Sequence, residues 1–514
     1  MSVLKSIATV GGYTMLSRLL GFARDILVAS SLGAGMIADA FFIAFKFPNV
    51  FRRLFAEGAF NAAFVPIFAG KLEAEGHDPA RDFAVRAFSM LFWVVLGLVT
   101  FMQLVMPWAM QAFAPGFMDN PDQFDLAVTL TRITFPYLLM ISLVSLLAGV
   151  LNSLNHFAAA AATPVILNLC LIGAVLILAP LSPTPAHALA WGVFAAGVLQ
   201  FLWLLFHCIR LKMPMALRRP RFDADIRHMG AKIIPGAIGA GIYQINMVVD
   251  MVLASLLPTG AISYLFYADR VTQLPLGVVG VAVGTALLPV LSRHLRKGQT
   301  VEALESQNRA IEFSLLLTLP AAGAFLVLHE PIIRVLFERG AFSLDDSLAT
   351  AGALMIYAVG LPFYVLNKAL TPSFFARGDT KTPMKIAALC MGVNVVMNLI
   401  LMQFYAHLGL AMATVISAGI NTLLLASVLI RRGHYRPDRR LIDKSIRIIL
   451  SVGLMVAVLH GALTLAHPYF TEALSHRIMV LSTLIALGLM SYALAILATR
   501  ACTVGELKQF LRIP

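Results

Sequence analysis

Between Ser17 and Phe68 the chain places Arg18, Arg24, Asp25, Asp39, Lys46, Arg52, Arg53 and Glu57 in surroundings that are otherwise apolar and aromatic. Read as helices turning about 100° per residue, these charges are ordered. Asp39, Lys46 and Arg53 recur at every seventh position and Glu57 follows Arg53 by four, so all four fall within about 40° of one another. Asn49 joins that side, and Pro48 is expected to bend the helix in its middle. Arg18 and Asp25, again seven apart, share a face, and Arg24 is turned about 120° from Arg18. The second half of the chain adds Arg270, with Asp250 and Asp269. Arginine forks match carboxylate or phosphate oxygens two at a time. The pattern predicts a wet, net-cationic cavity for an anionic substrate.

The elements that must hold these groups are membrane helices. The 514 residues are 59% hydrophobic and 13% charged, against about 25% charged in a soluble protein. Apolar runs of about 20 residues recur throughout, and they are continuous rather than alternating, which excludes a β-barrel. Arg18 lies about 20 Å along its helix from Lys5, and Arg270 about 14 Å into its own span. Such depth argues against snorkelling, which stands as the alternative to a site role for Arg52, Arg53 and Glu57 near a helix end. A charge at membrane depth costs about 2.5–3.5 kcal/mol or more, and it marks a water-filled pathway. The net charge of +13 does not indicate nucleic acid, because the Lys and Arg residues gather in a few loops. Cys170, Cys208, Cys390 and Cys502 have no metal-ligand spacing and read as apolar filler. The first apolar stretch carries arginines and lacks the form of a cleavable signal peptide.

Fourteen spans are predicted, at 5–32, 36–58, 84–113, 127–151, 159–180, 186–209, 229–257, 261–291, 310–330, 347–374, 383–404, 407–430, 444–466 and 478–499. Basic residues crowd alternate loops: Arg210 to Arg227, Arg293 to Lys297, and Arg431 to Lys444. The intervening loops 116–125 and 179–188 hold no Lys or Arg, and Arg334 and Arg339 after span 9 are the exception. The basic loops are therefore placed in the cytoplasm, with both termini.

"DILVASSL" from Asp25 matches "DMVLASLL" from Asp250 at an offset of 225, and "FPYLL" from Phe135 resembles "LPFYV" from Leu361 at 226. "FVPIF" from Phe64 and Thr163-Pro164 have similar partners in "LLPVL" from Leu287 and Thr382-Pro383. The repeat predicts two parallel six-helix bundles, 1–210 and 228–431, with a substrate site between them. The last two spans, 443–500, lie outside the repeat. At the 225 offset the counterparts of Arg18 and Arg24 are Tyr243 and Val249, so the cationic chemistry is concentrated in the first half.

"SRLLGFARD", "ADAFFIAFKFPNVFRRLFAEGAFNAAFVP" and "YADRVTQLPLGV" are long and specific. Through them, and over the whole chain, the sequence closely resembles the MurJ (MviN) family of bacterial lipid II flippases, in the MOP exporter superfamily. The resemblance implies a pair of six-helix bundles around a cationic cavity working by alternating access. It also implies a substrate, lipid II, which is undecaprenyl pyrophosphate bearing the cell-wall disaccharide-pentapeptide. It places headgroup-handling arginines at Arg18, Arg24, Arg52 and Arg270 and an essential acid at Asp39. The extra spans 13 and 14 would form a groove for the polyprenyl tail. Some members hold a sodium ion, whose ligands would fall on Asp250, Asn394, Asn398 and Thr414. Where that pattern can have a second carboxylate, this chain has Asn398, whose amide still offers an oxygen. No other cofactor is expected. The implied setting is the bacterial inner membrane, as a monomer among membrane lipids and beside the cell-wall synthesis machinery.

Three other functions fit these residues less well. A drug or cation exporter of the same superfamily would favour unpaired carboxylates, whereas arginine dominates here. An O-antigen-type flippase shares the anionic lipid headgroup and is opposed only by the specific motifs. A polyprenyl-linked glycosyltransferase or phosphatase needs convergent carboxylates or a metal. The one acidic cluster, Asp119, Asp122 and Asp125, reads as a solvated loop.

Overall fold

The structure is a computed structural model that describes residues 3–53, 59–220, 222–466, 470 and 473–502. Among the described residues it is helical, with no strand. The helices are α1 (Val3–Leu32), α2 (Met36–Arg52), α3 (Ala59–Ala74), α4 (His77–Phe113), α5 (Pro121–Thr134), α6 (Tyr137–Ser153), α7 (Phe157–Ala161), α8 (Thr163–Gly173) and α9 (Pro185–Arg210). There follow α10 (Ala224–Ser255), α11 (Ala261–Pro275), α12 (Val281–Arg296), α13 (Thr300–Phe337), α14 (Leu344–Phe375), α15 (Lys381–Arg431), α16 (Arg439–Ala466) and α17 (Leu474–Ala498).

Nine helical segments among the described residues are long and apolar enough to cross a membrane. None of them comes from α1, α2, α10 or α11. Those are the helices that carry Arg18, Arg24, Asp25, Asp39, Lys46, Asp250 and Arg270.

The chain packs as two compact units, residues 1–263 with 339–342, and residues 264–338 with 343–514. The boundary at Ser263 leaves α10 in the first unit. A close approach holds it there. Gly116 donates its N–H to Ser255 Oγ at 3.3 Å, and a Cβ on Gly116 would stand 2.0 Å from the Ser255 carbonyl oxygen. A second close approach joins the end of α1 to the segment 339–342. Ala341 N–H donates to Ser30 O at 2.8 Å. Gly33 takes φ +67°, and a Cβ there would meet Ala341 O at 2.4 Å. The core of the first unit is aromatic. Phe47 sits edge-on to Phe113 with centroids 4.3 Å apart, and Phe64 stacks on Phe83 at 5.6 Å.

Prolines interrupt several helices, and the carbonyl four residues earlier loses its backbone donor each time. In an apolar medium that carbonyl needs a replacement. Pro48 frees Ala44 O, and Thr134 Oγ1 donates to it at 2.7 Å. Pro136 frees Arg132 O, which accepts from Gln103 Nε2 at 2.8 Å. Pro136 also explains why the predicted span 127–151 is two helices, α5 and α6, joined through a tight turn at Phe135-Pro136. In the second unit Pro320 frees Leu316 O, which accepts from the Tyr492 hydroxyl at 2.7 Å. That bond ties α17 to α13. Thr134→Val and Tyr492→Phe should each destabilise the protein by about 1–3 kcal/mol, the cost of a buried group left unsatisfied. Thermal unfolding of purified protein checks this, with Thr134→Ser as the variant that keeps the bond; an unchanged midpoint for Thr134→Val contradicts it.

In the second unit α15 is broken at Ala406, with φ 47° and ψ −127°. Gly409 packs on the Leu401 carbonyl, and Ser417 Oγ donates to Cys390 O at 2.8 Å. One partner advances as the other retreats, so the two halves run antiparallel, matching the predicted spans 383–404 and 407–430. The predicted span 310–330 begins earlier, because α13 starts at Thr300. Before α15, Asp379 accepts from Thr382 N at 2.9 Å and from Arg432 Nη1 at 2.6 Å. The Thr382 hydroxyl first, then its N–H and the Arg432 guanidinium, hold this carboxyl well below the usual carboxylate range. A depressed folded pKa stabilises the fold above the unfolded value and loses that contribution as pH falls through the folded one. The gap in melting midpoint between wild type and Asp379→Asn should therefore be full at neutral pH and narrow below about pH 4. A gap unchanged down to about pH 2.5 would refute the assignment.

Candidate functional site

The first unit contains Arg18, Arg24, Asp25, Asp39, Lys46, Arg52 and Arg53, and the second contains Arg270. Glu57 lies outside the described residues.

Arg24 and Asp25 are buried, 8% and 5% exposed. Arg24 donates to Asp25 Oδ1 from Nε at 3.0 Å and from Nη2 at 2.6 Å. Its Nη1 donates to Asn168 Oδ1 at 2.9 Å. Asn168, on α8, is oriented in turn, since its Nδ2 donates to Ser17 O at 2.8 Å and Ser17 Oγ at 3.4 Å. The guanidinium plane is therefore fixed on two edges, and two of its five N–H groups remain for another acceptor. Asn168 escaped the sequence reading. The available signal was a lone amide inside the apolar run "TPVILNLCLIG". Arg18 is exposed on the same helix and has no ion-pair partner among the described residues.

Asp39 is 2% exposed and its carboxylate is saturated. Oδ2 accepts from Gly260 N at 2.6 Å, and Oδ1 accepts from Ser263 N at 2.9 Å and Ser263 Oγ at 2.5 Å. These are the leading N–H groups of α11, which have no partner within their own helix. The carboxylate of α2 meets them with the charge that a helix start favours. Lys46 and Arg52 are half-buried, while Arg53 is exposed with Nη1 3.2 Å from Met247 Sδ. The sevenfold spacing thus places Asp39 and Arg53 in opposite surroundings, one sealed in protein and one open.

In the second unit the Arg270 guanidinium lies 4.7 Å from the centre of the Phe266 ring, in cation–π geometry. Asp269 accepts from Gln273 Nε2 at 2.5 Å. Of the proposed cation ligands, Asp250 is in the first unit and accepts from Asn246 Nδ2 at 3.2 Å. Asn394, Asn398 and Thr414 are in the second. Asn398 Nδ2 donates to Asn394 Oδ1 at 3.0 Å, and the Thr414 hydroxyl donates to Leu410 O at 3.0 Å. A carboxylate, amide carbonyls and a hydroxyl are the oxygen donors a hard cation takes. Among the described residues no group of three or more His, Cys, Asp or Glu could hold a metal.

Charged side chains on helices that pack among long apolar ones mark a polytopic membrane protein of the transporter class. The family model described as "Lipid II flippase MurJ" matches residues 28–501. A probable lipid II flippase MurJ of Rhizobium meliloti (strain 1021) is 47% identical over 499 residues, covering 96% of this chain and 93% of the relative. One of Vibrio cholerae is 37% identical and covers 98% of each. A solved lipid II flippase MurJ in an inward closed conformation superposes with a TM-score of 0.79 at 28% identity, covering 95% of this chain and 97% of that one. An inward-facing multidrug-resistance MATE transporter of the MOP superfamily reaches 0.66 at 14% identity, a likeness of fold alone. The chain belongs to the lipid II flippase MurJ family.

Proposed function

We propose that this protein carries lipid II from the cytoplasmic to the periplasmic leaflet of the bacterial inner membrane by alternating access. The observation that carries the reading is the family model's match from residue 28 to 501. The arginine chemistry supports it. A pyrophosphate offers several oxygens, and Arg18, Arg24, Arg52 and Arg270 present forks that charge alone would not require. Lys46 and Arg53 add field along α2. The architecture in this reading is fourteen spans. Residues 1–210 and 228–431 are the parallel bundles, and 443–500 supply a groove for the polyprenyl tail. Both termini are cytoplasmic, and the protein acts as a monomer beside the cell-wall machinery.

Depleting the protein should leave lipid II on the cytoplasmic leaflet and lead to lysis, as read by a sidedness assay in cells with no other flippase. Normal delivery to the outer leaflet in those cells refutes the proposal. Recovery of chemically altered lipid II after incubation would favour an enzyme instead.

A sodium ion bound by Asp250, Asn394, Asn398 and Thr414 would supply charge compensation for Asp250. Asp250→Asn is then expected to abolish any sodium-dependent rise in melting midpoint while leaving the midpoint in potassium nearly unchanged. A wild-type midpoint and activity indifferent to sodium would remove the metal from the mechanism.

A further inference from the structure

In the second unit a cavity of about 340 Å³ opens between α16 and the helices α13, α14 and α15. Leu315, Leu370 and Ala426 line it from α13, α14 and α15, Tyr435 and Pro437 from the segment before α16, and Ile446 and Ile449 from α16. Ile446 and Ile449 are 53% and 58% exposed, so the cavity meets the apolar phase of the bilayer. No residue of α17 lines it, which separates it from a groove built by the last two spans together. A hollow of this size and polarity stays dry in the absence of a ligand. It lies at the small end of ligand sites, about 300–1,000 Å³, and suits a single hydrocarbon chain.

The segment 435–442, which contributes to its lining, carries cations. Arg436 stands between the lining residues Tyr435 and Pro437, and Arg439 precedes the lining residues Leu441 and Ile442. Glu312, buried on α13, is already occupied by Lys444 at 2.7 Å, by Arg440 at 3.5 Å and by Arg309. Asp438 is taken by Arg309. Arg436 and Arg439 are exposed and have no ion-pair partner among the described residues. Asn308 Nδ2 donates to Arg436 O at 3.0 Å and fixes the segment against α13. An apolar slot whose lining segment carries excess arginine at a membrane surface has the chemistry that recognises an anionic head group joined to an acyl chain.

We propose that this cavity is a site for an anionic phospholipid of the cytoplasmic leaflet, with one acyl chain in the slot and its phosphate on Arg436 and Arg439. The lipid fastens the first half of α16 to the α13–α15 core. It is a resident of the site and distinct from the transported molecule.

The test uses the full chain, purified and stripped of lipid, with phosphatidylglycerol and phosphatidylethanolamine of identical chains as probes. Native mass spectrometry and melting midpoint are read together. Phosphatidylglycerol should be retained preferentially, on the order of thirtyfold for two arginines, and should raise the midpoint. Arg436→Gln with Arg439→Gln should bring the preference near unity, and Ala426→Phe, which fills the slot, should reduce retention. Each single glutamine variant should lose about fivefold, which keeps the test open if the double variant folds poorly. Equal retention of the two lipids, or a preference untouched by the glutamine variants, overturns the proposal. Displacement of phosphatidylglycerol by lipid II one for one would also overturn it and give the slot to the polyprenyl chain.

Discussion

Asp39→Ala should insert in the membrane and yet be strongly destabilised and inactive in complementation. The substitution removes the acceptor for Gly260 N, Ser263 N and Ser263 Oγ, all sealed from solvent. Hydrogen bonds to a charged group are worth about 1.5–3 kcal/mol each, and an orphaned buried donor costs about 1–3 kcal/mol. Even with strong non-additivity the loss should exceed about 3 kcal/mol. Asp39→Asn sharpens the test. With its oxygen on Ser263, the amide nitrogen stands 2.6 Å from Gly260 N, a donor facing a donor. Asparagine should therefore recover only part of the stability, and glutamate, one methylene longer, should recover little. The readouts are the melting midpoint of purified protein and complementation at matched expression. A normal midpoint for the alanine variant, combined with lost lipid II binding, would reject the clasp and return Asp39 to the headgroup site that the spacing first suggested.

That contrast shows where reading a sequence stops. The membrane class and the loop charges follow from composition and spacing, because hydropathy and charge act locally. The family motifs supplied the substrate. Saturation of Asp39 was invisible because its donors lie more than 200 residues away in a glycine turn. Gln103, Thr134 and Tyr492 were equally hidden. A proline announces which carbonyl it frees, but only packing decides which side chain reaches it. The 225-residue offset likewise records which segments match and says nothing of their packing. α10 packs in the first unit, chiefly on α3, and Gly116 admits Ser255 there with no side chain between them. Asn168 could have been suspected as an amide in an apolar run, yet its partner Arg24 is 144 residues away.

Lysine replacements should not be equivalent at Arg18, Arg24 and Arg270, and their surroundings set the order. Arg24 already spends its fork on Asp25 and Asn168, so an ammonium cannot reproduce both edges of the plane. Arg24→Lys should lose nearly as much lipid II affinity as Arg24→Ala. Arg18 is exposed and unpaired among the described residues, so lysine there keeps the charge and forfeits only the paired geometry. One charge-assisted bond, about 1.5–3 kcal/mol, corresponds to a loss of roughly ten- to a hundredfold. Arg270 rests on Phe266, a contact an ammonium also makes, and its lysine variant should be the mildest. Asn168 then separates field from scaffold. Asn168→Asp keeps an acceptor for Arg24 and makes that bond charge-assisted, but its second oxygen faces the Ser17 carbonyl to which Nδ2 donates, so it should melt no higher than Asn168→Ala. The new carboxylate also cancels positive field, so the aspartate variant should bind lipid II more weakly than the alanine variant. If the two bind lipid II equally, Asn168 is only a brace between α8 and α1, and Arg24 does not meet the pyrophosphate.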